Sequence, residues 1–323
     1  MTVLVTGAAG FIGFHVAQAL LGRGARVLGV DNLNDYYDPA LKLARLGRLE
    51  AQSGFRFLRA DVADRDAMMA VAENHEPVTG IVHLAAQAGV RHSLKDPYSY
   101  VRSNVEGQLV MLELARRLDG LKHMVYASSS SVYGANEKLP FSVDDPVDKP
   151  ISLYAATKRS GELMAYTYAH LYGIPLTGLR FFTVYGPWGR PDMAAYIFAS
   201  KIMAGEPITV FNNGDMRRDF TFIDDIVDGV LRCLDAPPSG APPHRVYNIG
   251  NHRSEDLMRF IALIEEGLGR KAEIQFDEIQ PGDVKETFAD ISAIERDLGY
   301  HPHTPIELGL PAFIDWFRSY NGR

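Results

Sequence analysis

Tyr154 and Lys158 stand four residues apart in the segment PISLYAATKRSGEL. In a helix, positions i and i+4 share a face. An ammonium beside a phenol stabilises the phenolate and lowers the tyrosine pKa, which makes a usable general base. Alone, the pair is ordinary, because a core tyrosine beside a solvated lysine has the same spacing. A second cluster changes the weighing. Upstream, the apolar run MVYA gives way to four consecutive serines, Ser128 to Ser131. Hydroxyls at a strand end must each find a partner or water. One of them can share a hydrogen bond with a substrate hydroxyl that Tyr154 deprotonates. No Asp or Glu stands among the four, so the cluster offers hydrogen bonds but no carboxylate base.

A dinucleotide site precedes both clusters. VLVTGAAGFIGFHVAQALL reads as strand, glycine-rich turn and helix, with Gly7, Gly10 and Gly13 spaced G-x-x-G-x-x-G. Missing Cβ atoms let a pyrophosphate approach the backbone, and the helix N-terminus supplies free N–H groups. The next strand ends in Asp31, about where a ribose-binding carboxylate belongs. Asp31 would accept from the ribose hydroxyls and repel a 2′-phosphate, which favours NAD over NADP. Phe11 and Ile12 lie in the same turn, and Asn32 follows Asp31. Asp61 and Val62 follow a third strand, and Leu84, Ala85 and Ala86 follow a fourth, in HLAAQAG. Ligands bind at such strand C-terminal ends in open α/β sheets. Asp61 also reads as a helix N-cap. Asn104 completes the candidate cofactor contacts.

The elements that must carry these residues alternate. Segments 2–6, 26–30, 55–60, 80–85, 123–128 and 175–181 have strand character, with helical spacing between them. Strand then helix, repeated, implies parallel strands with right-handed crossovers. Their continuous apolar runs suit strands buried on both faces. After about residue 182 the rhythm breaks into Gly- and Pro-rich loops. The stretch 236–244 reads as a surface loop, 245–250 as one more strand, and 255–269 as a helix closing on Gly269. The expected fold is a Rossmann-like, doubly wound parallel sheet with a smaller C-terminal α/β substrate-binding region. The expected division is 1–182 for the NAD domain, with segments near 220–250 packing back onto it, and 183–323 for the substrate region.

Composition narrows the class further. The chain has 323 residues, 46% hydrophobic and 23% charged, ordinary for a globular protein. Net charge is −7 and no long basic run occurs, which argues against nucleic acid or an anionic membrane surface as partner. No apolar run reaches a membrane span, and MTVLVTG starts directly as a strand with no signal peptide, so a cytoplasmic protein is expected. The single cysteine, Cys233, reads as a small buried hydrophobe. The ten histidines show no metal-binding spacing, and no metal is expected.

TGAAGFIG, SSSSVYG and YAATK together resemble the extended short-chain dehydrogenase/reductase family. Within it, DNLNDYYDPALKLARL, AAQAGVRHS and LRFFTVYGPWGRPDMA are similar to the UDP-glucuronate 4-epimerases. The resemblance covers nearly the whole chain. It implies bound NAD, a UDP-sugar substrate, and inversion at C4 through a transient 4-keto sugar. It implies Tyr154 as base, Lys158 as its lysine and Ser129 as the catalytic hydroxyl. It places Arg190 at the sugar carboxylate, Arg218 at the diphosphate and Asp283 at the uridine ribose. Arg91 also faces substrate on this likeness, and Phe211 stacks on uracil or packs in the core. Ser130, Ser131 and Thr183 supply hydroxyls to the sugar. It further implies a homodimer through helices at roughly 97–118 and 152–171.

Epimerases of neutral UDP-hexoses in this family carry Asn where this chain has Thr183, and Arg where it has Gln280. Both departures agree with a uronate substrate. Related dehydratases keep an acidic pair beside the serine, and related decarboxylases a nearby Glu. With hydroxyls alone, the evident course after oxidation at C4 is return of hydride to the opposite face. The alternatives are epimerisation of a neutral UDP-hexose, decarboxylation of UDP-glucuronate, or a non-catalytic NAD sensor. An intact Ser129, Tyr154 and Lys158 set argues against the sensor, which needs no base.

Overall fold

The computed structural model describes residues 1–74, 77–280 and 282–322. The first half runs β1 (Thr2–Thr6), α1 (Phe11–Gly22), β2 (Arg26–Asp31), α2 (Pro39–Glu50), β3 (Phe55–Arg59), α3 (Arg65–Asn74) and β4 (Gly80–His83). Next come α4 (Pro97–Tyr100), a π-helical turn at Val101–Glu106, α5 (Gly107–Arg117), β5 (His123–Ser129), α6 (Leu153–Tyr172) and β6 (Leu176–Phe181). The second half holds β7 (Thr183–Tyr185), α7 (Ala194–Ala204), β8 (Ile208–Phe211), β9 (Arg217–Arg218), β10 (Phe220–Phe222) and α8 (Ile223–Asp235). It closes with β11 (His244–Ile249), β12 (Glu255–Asp256), α9 (Leu257–Leu268), β13 (Ile274–Asp277), α10 (Ser292–Leu298) and α11 (Ile306–Tyr320).

Seven parallel strands form the main sheet in the order β11-β6-β5-β4-β1-β2-β3. Side chains of one strand alternate between two cores. Val3 and Val5 join Phe14, Ala17 and Leu20 of α1 and Val230 of α8. Leu4 joins Met68 of α3, Leu114 of α5 and Ala165 of α6. This is the two-sided burial expected of a doubly wound sheet. β3 departs from it: as an edge strand it exposes Arg56 and Arg59 and leaves Phe57 and Leu58 half-buried. The fourth strand stops at His83, two residues short of the expected end, because Leu84 onward peels away to wall the cleft.

The late segments return to this sheet. β11 pairs with β6, and α8 packs on α1. The remaining short strands pair in twos, β7 with β10, β8 with β13 and β9 with β12. They frame a layer with α7, α9 and α11. Gly269 closes α9 in a left-handed conformation, φ +65°, where a side chain would be strained. Cys233 is fully buried. Among the described residues, no helix is long and apolar enough to cross a membrane, and no group of three or more His, Cys, Asp or Glu is arranged to hold a metal.

Candidate active site

A cleft of about 930 Å³ opens across the C-terminal ends of β1, β2, β4 and β5 and is walled on its other side by the C-terminal layer. The chain crosses from β3 at one edge to β4 on the other side of β1, and this reversal of strand order between neighbouring β1 and β4 puts the cleft where open α/β sheets bind ligands.

The glycine turn forms one end. Gly7 has φ +71°, and a Cβ there would stand 2.9 Å from Ala85 N. A Cβ on Gly13 would stand 2.0 Å from Gly7 O, so the turn closes only without side chains. Gly7 N donates to Val30 O at 2.7 Å, which ties the turn to β2. Beside it, Asp31 Oδ2 accepts from Ala9 N at 3.1 Å and Oδ1 from Leu33 N at 2.8 Å. Phe11, Ile12, Asn32, Asp61, Val62, Leu84, Ala85 and Ala86 all line the same end. Asp61 accepts from Ala63 N at 2.9 Å in a local turn and pairs with Arg102 at 3.3 Å. The cap of α3 is instead Asp64, which accepts from Ala67 N at 3.0 Å, so the capping reading of Asp61 does not hold and its cleft position does. A narrow side-chain-free turn at a helix N-terminus, with a carboxylate held at the tip of the next strand, fits the pyrophosphate and ribose of NAD.

Asn104 is placed differently from the expectation. Its Oδ1 accepts from Gln87 N at 2.8 Å, and its Nδ2 donates to Gln87 O and Thr157 Oγ1, both at 3.0 Å. The side-chain amide is spent behind the cleft wall and does not line it. It links the loop after β4 to α6, the helix of Tyr154.

The catalytic candidates meet at mid-cleft. Ser129 ends β5, and its Oγ accepts from Ser131 N at 3.1 Å. Ser152 caps α6, accepting from Ala155 N at 3.1 Å, and so places Tyr154 on the first turn. Burial pushes the Tyr154 phenol above its usual range, and a hydrogen bond with Ser129 and the charge of Arg190 pull it part of the way back. Lys158 Nζ donates to Ala127 O at 3.0 Å, and burial alone lowers its pKa to about 8. The expected direct relief of the phenol by the lysine is therefore not realised in the protein by itself. The ammonium is turned to a strand carbonyl, and the groups that relieve the phenol are Ser129 and Arg190.

The four serines divide. Ser129, Ser130 and Ser131 line the cleft. Ser128 does too, but its hydroxyl donates to Glu162 Oε1 at 2.6 Å. Glu162 in turn takes Nε and Nη2 of buried Arg180, at 2.8 and 2.9 Å. So a carboxylate does touch the serine run, from α6, and it is locked by an arginine. The cleft-lining carboxylates among the described residues, Asp31, Asp61, Asp192 and Asp283, each already hold a partner as well.

The far end gathers the expected substrate residues. Arg91 Nη2 donates to Asp283 Oδ2 at 2.7 Å, and its guanidinium lies 4.2 Å from the Phe211 ring centre. Arg218 Nη1 donates to the carbonyls of Arg217 and Lys285, at 2.8 and 3.0 Å. Thr183 and Arg190 also line the cleft. One feature of Arg190 was not anticipated: Nε donates to Asp192 Oδ1 at 2.9 Å and Nη2 to Oδ2, so one forked edge is already taken. Asp192 is further held by Tyr36 Oη at 3.0 Å.

Residues 3–250 match the NAD dependent epimerase/dehydratase family. The chain belongs to that family.

Among its relatives, UDP-glucuronate 4-epimerase 1 of Arabidopsis thaliana is 47% identical over 100% of this chain and 78% of its own length. The probable UDP-glucuronate 4-epimerase of Rhizobium meliloti is 46% identical over 98% of this chain and 97% of its own. The crystal structure of UDP-glucuronic acid 4-epimerase from Bacillus cereus, in complex with UDP-glucuronic acid and NAD, superposes with a TM-score of 0.92. It is 35% identical and covers 99% of this chain and 100% of that one.

Membership in the family gives the glycine turn and the Tyr154 helix their context but leaves several cleft residues unassigned. Tyr36, Lys42 and Asp192 line the cleft, and buried Arg45 braces it from behind. All four sit inside motifs that mark the resemblance, DNLNDYYDPALKLARL and GRPD. The signal was present, but it carried no chemistry until Arg190 and Asp192 were seen paired.

Proposed function

We propose that this chain is a NAD-dependent UDP-glucuronate 4-epimerase, interconverting UDP-glucuronate and UDP-galacturonate. The observation that carries the reading is that Tyr154, Ser129 and Lys158 line one cleft with the glycine turn at one end and Arg190 in the wall. When bound, NAD accepts the hydride of C4 and returns it. The chain's own residues do the rest. Tyr154 takes the C4 hydroxyl proton, and the Ser129 hydroxyl donates its one proton to the C4 oxygen or to the phenolate as charge moves between them. Buried, positively charged Lys158 favours the anionic form of the site once the cavity is filled. The sugar then turns, and Tyr154 gives the proton back after hydride returns to the other face. No net redox occurs, so the cofactor stays bound.

Gly7, Gly10, Gly13, Asp31 and Asn32 hold the pyrophosphate and adenosine ribose, with Phe11 and Ile12 in the turn. Asp61 and Val62 flank the adenine, and Leu84, Ala85 and Ala86 wall the path towards Tyr154. Arg218, Asp283, Phe211 and Arg91 take the uridine diphosphate, and Arg190, Ser130, Ser131 and Thr183 the uronate. Elimination from the 4-keto sugar lacks a base here, because each cleft carboxylate among the described residues is already engaged. By task, 1–182 with the returning segments near 220–250 serves the cofactor, and the rest of 183–323 the UDP-sugar.

We further read the protein as a cytoplasmic homodimer. Tyr98, Val101 and Leu109 on the 97–117 helical run, and Leu163, Tyr166 and Leu171 on α6, are exposed apolar side chains that a second copy would cover. Incubation with UDP-glucuronate should yield UDP-galacturonate, separated by chromatography. In Tyr154→Phe the rate should fall by about 10²–10⁴ with NAD retained. Undiminished turnover in that variant would remove the base assignment.

A further inference from the structure

In the segment DNLNDYYDPALKLARL, only Asp31 and Asn32 have a task in the account above. Its later side chains converge on Arg190. Arg45 is fully buried and donates from Nη2 to Trp188 O at 2.6 Å and Gly189 O at 3.4 Å, the two carbonyls just before Arg190. Its Nη1 donates to Ala9 O in the glycine turn at 3.0 Å. That fixes the backbone. The side chain is fixed separately: Tyr36 Oη donates to Asp192 Oδ2 at 3.0 Å, and Asp192 grips Nε and Nη2 of Arg190.

A guanidinium has five N–H donors. Asp192 uses one on Nε and one on Nη2. The two on Nη1 and the second on Nη2 remain, and one of the Nη1 pair with the second on Nη2 forms the other forked edge, which matches a carboxylate bidentately. The seat of Tyr36 is itself built. A Cβ at Gly89 would stand 2.8 Å from Tyr36 Oη, and Gly89 has φ +101°. The glycine of AAQAGVRHS, the second family-like motif, thus makes room for the tyrosine of the first.

We infer that Asp192 and Tyr36 are positioning residues for the uronate. Asp192 locks one edge of Arg190 so that the opposite edge is presented to the sugar carboxylate, and Tyr36 fixes Asp192. The inference rests on the uronate reading above. A neutral hexose gains nothing from a presented edge, so this relay acts on sugar selection and on KM, and not on the proton or hydride step. Neither residue need touch a reacting atom.

The test is calorimetric titration of the NAD-loaded protein with UDP-glucuronate, UDP-glucose and UDP, beside steady-state kinetics. The wild type should prefer UDP-glucuronate to UDP-glucose. Tyr36→Phe and Asp192→Asn should each weaken UDP-glucuronate roughly tenfold, the effect of one hydrogen bond to a charged group, and raise its KM with kcat little changed. UDP and UDP-glucose should bind as before. In an Arg190→Ala background, Tyr36→Phe should make no further difference. If both single variants keep the full preference for the uronate, the positioning role is overturned and the epimerase reading stands. If the wild type shows no preference, both fall. If all three ligands and NAD weaken together in both variants, the residues are structural supports and the inference is wrong.

Discussion

The Ser129 hydroxyl accepts from Ser131 N at 3.1 Å and is one of the groups that lower the pKa of the Tyr154 phenol. With its lone pair engaged, the hydroxyl proton is free to be donated to the phenol oxygen, which favours the phenolate. Burial works the other way and is the larger effect on Tyr154. Removing the serine leaves burial less opposed. Ser129→Ala should therefore move the acid limb of the kcat/KM profile to higher pH and lower the rate near neutrality. Deprotonated tyrosine is the active form, so a raised pKa means less of it at a given pH. A limb that stays in place would show that Ser129 does not tune the base.

Asp31 accepts from Ala9 N and Leu33 N, so its carboxylate is aimed by the glycine turn itself. Asp31→Ala should weaken NAD by about tenfold or more, the scale of a lost hydrogen bond to a charged group. It should also narrow the preference over NADP, because repulsion of a 2′-phosphate goes with the charge. Lys42 lines the same cleft, its ammonium held by Asn34 O and Oδ1 at 2.7 and 2.6 Å, and is a cation that such a phosphate would meet once the Asp31 charge is gone. Titration of the stripped protein with both dinucleotides checks this. Unchanged affinities for both would contradict the assignment.

Arg190→Ala removes the uronate clamp and leaves Asp192 without its guanidinium. Selectivity for UDP-glucuronate over UDP-glucose should fall about tenfold to a hundredfold. Oxidation at C4 makes the uronate a β-keto acid. If its carboxylate swings into line with the carbonyl, the C5–C6 bond breaks, its electron pair enters the C4 carbonyl system, CO₂ leaves and C5 takes a proton from water. A UDP-4-keto-pentose product with reduced cofactor accumulating on the protein is the expected trace, read by chromatography and absorbance. Neither change would mean that the carboxylate is held elsewhere, with Arg91 the next residue to vary.

Glu162 is nearly unexposed and takes hydrogen bonds from Ser128, Arg159 and Arg180. Burial alone would raise its pKa, but Arg180 and these hydrogen bonds bring it below the usual range. A depressed carboxylate contributes stability that is present above its unfolded pKa and is lost as pH falls through the folded one. Glu162→Ala also strands a buried arginine, which costs about 3–5 kcal/mol. Urea unfolding at neutral pH should show that loss, and the gap to wild type should narrow on acidification. An equal gap at every pH would mean that the carboxylate's charge is not what stabilises.

The parts of the site that were legible in the sequence are those whose geometry is local. Gly7 and Gly13 encode a turn in which Cβ atoms do not fit, and Tyr154 and Lys158 encode a shared helical face. The strands followed from apolar runs, and the two edge strands, β3 and β11, broke the pattern of burial on both sides. What stayed hidden is set by tertiary contact. Lys158 meets a main-chain oxygen, and no residue type announces that. Asn104 lies on a π-helical turn that its neighbours' types do not predict, and its amide is spent on Gln87 and Thr157. Tyr36 and Asp192 are distant in the chain and meet only because Arg45 draws the loop before Arg190 against the glycine turn. The four serines gave half of their meaning. The missing carboxylate was readable, but the locked Glu162 behind Ser128 was not.

The central claim is that one hydrogen leaves C4 and the same hydrogen returns to its other face. UDP-glucuronate labelled with deuterium at C4, converted in ordinary water, tests this in one experiment. The expected product is UDP-galacturonate with deuterium still at C4, seen by NMR of the isolated product. Solvent hydrogen at C4, or a UDP-pentose as the main wild-type product, would contradict it.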